Sequence, residues 1–122
     1  MLNFFKNHEI PVVGIEPAAN VAKIAENMGI PTVVNFFSSN SVEKIVNSGI
    51  KANLLIAFNV LPHVPNLNDF VLGMKKIINE DGIIIIQFSA YLLDVIQKCE
   101  FDTIYHEHFS YFSLFTLKQI FK

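Results

Sequence analysis

Short apolar runs alternate along the chain with stretches whose apolar residues recur every three or four positions. Residues 10–16 (IPVVGIE) are β-branched and stopped by Pro17, which predicts a buried strand. Over 18–28, Val21, Ile24, Ala25 and Met28 share one side of a predicted helix, and Gly29 follows as its C-terminal cap. Residues 31–35 predict a second strand. Residues 41–48 predict a helix with Val42, Ile45 and Val46 inward, ending at Gly49. Residues 53–59 (NLLIAFN) read as a third strand. Residues 66–79 read as a helix with Leu67, Phe70, Val71, Met74 and Ile77 or Ile78 inward. Asp81-Gly82 predicts a turn into a fourth strand over 83–88. Residues 90–98 are again helical, 101–113 are aromatic and irregular, and 116–121 begin another helix; 1–7 resemble the end of one.

Continuous apolar strands joined by helices predict an α/β fold, a parallel sheet with helices on both faces. Right-handed crossovers then place the loops that bind ligands at the strands' C-terminal ends. Those ends are Glu16-Pro17, Asn35-Phe36-Phe37, Asn59-Val60-Leu61 and Phe88-Ser89. Residues 1–122 read as one domain, without internal repeats or a linker. The glycines stand apart at 14, 29, 49, 73 and 82, so no Gly-rich phosphate loop is present.

Composition narrows the classes. The chain has 122 residues, 52% of them hydrophobic and 16% charged, which suits a packed core and not a disordered segment. A net charge of −2 with no basic cluster argues against a nucleic-acid partner. No apolar run approaches the ~18 residues of a membrane span, and residues 1–6 lack the pattern of a signal peptide. One cysteine excludes an internal disulfide and suits the cytoplasm; Cys99 is expected to be a half-buried filler.

Several positions could carry chemistry. A carboxylate at Glu16, at a strand's C-terminal end, offers two acceptor oxygens to a ribose diol; the plainer reading is a solvated strand end. Phe36 or Phe37 could stack on a base or fill the core. Asn59 and Val60 occupy a loop where such sheets bind ligands, and His63 could cap that loop or act as an acid or base. The densest cluster is Tyr105-His106-Glu107-His108, followed by Tyr111. Imidazole titrates near neutrality and suits a general base, and a carboxylate could hold it in one tautomer. In extended backbone His106 and His108 would share a face. A metal is not expected, because a zinc site needs three or four ligands and only Cys99 and Glu107 stand near the two histidines. The bland alternative is aromatic core with histidines capping a loop.

Three stretches resemble one family, the S-adenosylmethionine-dependent nucleotide-sugar C-methyltransferases of deoxysugar pathways. They are Gly14-Ile15-Glu16-Pro17-Ala18, Asn59-Val60-Leu61-Pro62-His63-Val64-Pro65, and the run from Phe101 to Ser113 (FDTIYHEHFSYFS). The resemblance implies a partial Rossmann-like class I methyltransferase core. It maps to the middle of such an enzyme, without the zinc-binding domain, the first strand with its Gly-rich loop, or the C-terminal domain. It implies that a base removes the proton alpha to a keto group and that the resulting enolate carbon takes the methyl group. His108 would then be the base, with Tyr105 and Glu107 orienting the sugar or stabilising the enolate and His106 beside them. Glu16 and Pro17 would hold the cofactor's ribose, Phe36 or Phe37 would flank adenine, and Asn59 and Val60 would line the methionine end. Gln87 and Ser89 depart from the family, standing where an acidic residue and a proline are expected.

The absent central strand predicts open edges on two apolar neighbours. The chain alone is therefore expected to bind the cofactor weakly and to be inactive by itself. Rival readings are a non-catalytic module completing a sheet with a complementary polypeptide, a decayed fragment, and part of a nicotinamide-dependent oxidoreductase. The last explains Glu16 and leaves 105–108 unexplained.

Overall fold

The computed structural model describes residues 1–88 and 92–122. Among the described residues six helices and four strands follow in the order α1 (Leu2–Asn7), β1 (Gly14–Ile15), α2 (Ala19–Asn27), β2 (Thr32–Val33), α3 (Ser39–Asn47), β3 (Ala52–Phe58), α4 (Leu67–Ile77), β4 (Ile78–Gln87), α5 (Leu92–Lys98) and α6 (Leu114–Ile120). Single turns of 3₁₀ helix cover Leu61–His63 and Phe101–Thr103. The expected Phe88-Ser89 loop and the first residues of the 90–98 helix fall partly on 89–91, outside the described residues.

The strands pair in parallel, β1 with β2 and β3 with β4, as two separate two-stranded sheets. Both sheets pack on one helical layer. Val42, Ile45 and Ile77 from α3 and α4 are buried, and against them lie Val13, Ile15 and Val33 from one sheet and Ala52 and Leu55 from the other. A second core joins Ala57 of β3, Leu61, Phe70 and Met74 of α4, and Phe112. Of the inward residues expected for α3 and α4, Val42, Ile45, Phe70, Met74 and Ile77 are buried, and Val46, Leu67 and Val71 are half-buried.

Capping explains where the helices start. Ser38 and Ser41 form a reciprocal capping box, so α3 begins at Ser39, two residues before the expected start. The Ser39 hydroxyl donates to Asp69 Oδ1 at 2.5 Å, pinning the start of α3 to the first turn of α4. Asn66 is the cap of α4, not its first residue, its side chain accepting from Asp69 N–H at 3.2 Å. Ser113 caps α6 in the same way, moving its start to Leu114.

Several expectations are corrected. The pairing of β1 and β2 covers two residues each instead of the full apolar runs. Asp81-Gly82 is not a turn between elements. β4 continues through it, and the register slips between Ala52↔Ile78 and Leu54↔Ile83 to absorb the extra residues. A Cβ on Gly82 would stand 2.6 Å from Ile78 Cγ1, so the irregularity needs glycine. On α2, the buried residue is Ala22, while Val21, Ile24 and Met28 are exposed. The sheet β3–β4 is covered on one face only among the described residues: Leu55, Ala57, Ile84 and Ile86 face the core, and Leu54, Phe58, Ile83 and Ile85 are exposed. Alternation along a strand forces that split, since successive side chains take opposite faces.

Candidate active site

The strand ends position the chemistry. β3 stops at Asn59, whose N–H donates to Gln87 O at 2.7 Å and whose φ of 53° turns the chain off the sheet. Asparagine tolerates this left-handed conformation better than most residues. The chain then enters the turn Leu61–His63, where Leu61 and Pro62 are fully buried. This turn anchors the distant 105–109 segment at two points. Phe109 N–H donates to Pro62 O at 2.8 Å. His63 Nδ1 donates to the carbonyl of Glu107 at 3.0 Å. The histidine-rich cluster therefore sits at the C-terminal end of β3, where open parallel sheets bind ligands.

The cluster is not extended. His108 N–H donates to Tyr105 O at 3.0 Å, closing a turn. The turn brings residues three apart together and sends the next-door histidine outward. Tyr105 and His108 meet with ring centroids 4.2 Å apart and Oη to Nε2 at 3.0 Å. His106 lies in solvent, its Nε2 3.9 Å from Glu107 Oε1 with both side chains well exposed. The shared face expected for His106 and His108 is thus corrected, because strand alternation does not apply in a turn.

His108 is buried, and both its ring nitrogens are engaged. Nδ1 lies 2.7 Å from Thr103 O. Tyr111 Oη also donates to Thr103 O, at 3.0 Å, and its ring meets His108 edge-on. The His63 ring stands 4.8 Å from that of His108. Tyr111 and His63 stood out by residue type, but the Thr103 carbonyl did not, nor did the way these groups meet. The three-residue spacings 105–108 and 108–111 were the available signal, and they become informative only once the segment is known to turn.

The other candidates lie at other strand ends. Glu16 is half-buried after β1, and its Oε1 accepts from Ala18 N–H at 2.8 Å, supplying the cap that α2 lacks from its own first residue. Pro17 beside it is exposed. Of the two phenylalanines after β2, Phe37 is a core residue, edge-on to Phe70 at 5.1 Å, while Phe36 is 75% exposed. Val60 is exposed next to Asn59. Cys99 is corrected from half-buried filler to an exposed thiol. It ends α5 in left-handed backbone, φ 53°, with Glu100 N–H closing on Val95 O, a geometry that turns its side chain away from the core.

Two comparisons with known proteins bear on this site. The profile of a methyltransferase domain family matches residues 1–122. C-methyltransferase NovU of Streptomyces niveus is 32% identical over 121 residues, which is 99% of this chain and 29% of that protein. The chain thus spans less than a third of the length of that relative.

Proposed function

Since the chain belongs to the methyltransferase domain family, we propose that it serves S-adenosylmethionine-dependent methylation of a carbon next to the keto group of a nucleotide-linked deoxysugar. The similarity to a C-methyltransferase supports carbon as the acceptor. The observation that carries the reading is the pinned His108: a buried imidazole in one orientation, held against the turn that ends β3.

The residues at the strand ends fit the cofactor. Glu16 keeps a half-buried carboxylate at the end of β1, suited to a ribose diol, with Pro17 shaping the turn. Phe36 offers an uncommitted ring to adenine, which Phe37 in the core does not. Asn59 and Val60 would line the methionine end. When bound, S-adenosylmethionine supplies an electrophilic methyl group on a sulfonium. The chain's own residues do the rest. His108 takes the proton alpha to the ketone, and the electron pair moves toward the carbonyl oxygen. Tyr105 donates a hydrogen bond to that oxygen. Glu107 binds a sugar hydroxyl, and the exposed His106 lies at the rim.

A protein containing this chain should transfer labelled methyl from S-adenosylmethionine to such a sugar nucleotide. His108→Ala should abolish transfer and leave cofactor binding intact. Near-normal turnover in that variant would overturn the assignment of the base.

The partner reading rests on the two unconnected sheets. The outer edges of β1 and β3 suit a parallel strand from a complementary polypeptide. Co-purification with such a polypeptide supports it, and a lone stable monomer counts against it. Among the described residues no helix is long and apolar enough to cross a membrane. A cytoplasmic setting fits the single cysteine. The nicotinamide reading gains nothing from the family match.

A further inference from the structure

We infer that Tyr105 is a removable cap on the general base: in the free protein its phenol covers the lone pair of His108, and an incoming keto oxygen uncovers it. The inference deepens the reading above and rests on it for the identity of the ligand, but not for the cap itself.

The argument starts from one carbonyl. Thr103 O has no proton to give, so the 2.7 Å contact requires that His108 Nδ1 carry the hydrogen. A neutral imidazole has only one N–H, so Nε2 bears the lone pair. The partner of Nε2 is Tyr105 Oη at 3.0 Å, and a phenol donates to such a nitrogen. The one basic atom of His108 is therefore occupied.

The two members of the pair differ in freedom. His108 is 9% exposed and its ring is fixed from behind, where Tyr111 Oη shares Thr103 O. Tyr105 is 40% exposed, and among the described residues its hydroxyl meets only His108. A ligand oxygen reaching Tyr105 would draw the phenol hydrogen to itself. Nε2 would then be bare at the moment the ligand's carbonyl gained a hydrogen-bond donor. When the alpha C–H bond breaks, its proton goes to Nε2 and its electron pair goes to the carbonyl oxygen, now held by Tyr105. Tyr111 in this scheme is a positioning residue that acts through Thr103 O.

The test needs no sugar, so its outcome is separate from that of the methyl-transfer assay. Diethylpyrocarbonate acylates an imidazole nitrogen only through a free lone pair, and mass spectrometry separates His108 from the exposed His106. His108 in the wild-type chain should react much more slowly than His106. Tyr105→Phe should speed His108 about fivefold, the scale of one lost hydrogen bond, without altering His106. Tyr111→Phe should leave the cap in place and give no such increase. Long-range ¹⁵N spectra of the wild-type chain should place the His108 proton on Nδ1, which keeps the test independent of any variant's folding. A proton on Nε2, or an unchanged His108 rate in Tyr105→Phe, would overturn the cap.

Discussion

Replacing Gly73 with alanine sets two effects of similar size against each other. Gly73 lies in the middle of α4 with an ordinary helical φ, so alanine should favour the helix by about 1 kcal/mol. The added Cβ, however, would stand 2.9 Å from Phe37 Cε1, 3.0 Å from Ser38 C and 3.1 Å from Ser38 O. Phe37 could shift, but Ser38 is the cap of α3, held in the reciprocal box with Ser41. Its neighbour Ser39 is tied to Asp69 on α4 itself. Those backbone atoms therefore yield only by moving α3 along α4, and overpacking of that kind costs about 1–3 kcal/mol. With the clash on pinned backbone the upper half of that range applies, and the net loss is about 1–2 kcal/mol. At a urea m-value of about 1–1.5 kcal/mol/M for a chain of this size, the midpoint should fall by about 1 M. Urea unfolding followed by circular dichroism at 222 nm measures it. An equal or higher midpoint for Gly73→Ala would mean that propensity wins and that the α3–α4 contact is looser than described.

Further expectations follow from other contacts. Leu61→Ala, at a fully buried position in the turn that holds Pro62 and His63, should cost about 2–5 kcal/mol by the same assay; a loss under 1 kcal/mol would mean that the turn is not part of the core. Ser38→Ala removes half of the α3 capping box and should cost about 1 kcal/mol, with wild-type stability counting against the box. The bare face of β3–β4 should drive concentration-dependent association, which sedimentation velocity would detect and which Leu54→Lys with Phe58→Lys should weaken; a wild-type monomer at every concentration refutes this. The Lys98 ammonium is held above its ordinary pKa by its hydrogen bond to Asp94 and then by that carboxylate's charge. A raised lysine pKa helps the folded state at neutral pH and loses that effect as the solution becomes strongly alkaline. Because the pair is exposed, Lys98→Met should leave the neutral-pH midpoint unchanged.

What the sequence by itself determined is what depends on neighbours along the chain. The order of elements, the inward faces of α3 and α4, and the caps at Gly29 and Gly49 all follow from spacing and backbone preference over a few residues. Gly29 and Gly49 do adopt positive φ, 72° and 82°. The stretch 101–113 stood out as the candidate site because its residue types are unusual together. Tertiary structure decided the rest, because the deciding partners lie far away in sequence. Whether Phe36 or Phe37 enters the core depends on Phe70, thirty-odd positions on. Ala22 is buried on α2 and Ile24 is not, since burial needs a neighbour on that face and periodicity only proposes the face. Asp81-Gly82 became part of a strand because Ala52 and Leu54 were there to pair across it. At the candidate site, the turn at Tyr105–His108 buried His108 against Thr103 O and left His106 in solvent, a difference that composition alone does not carry.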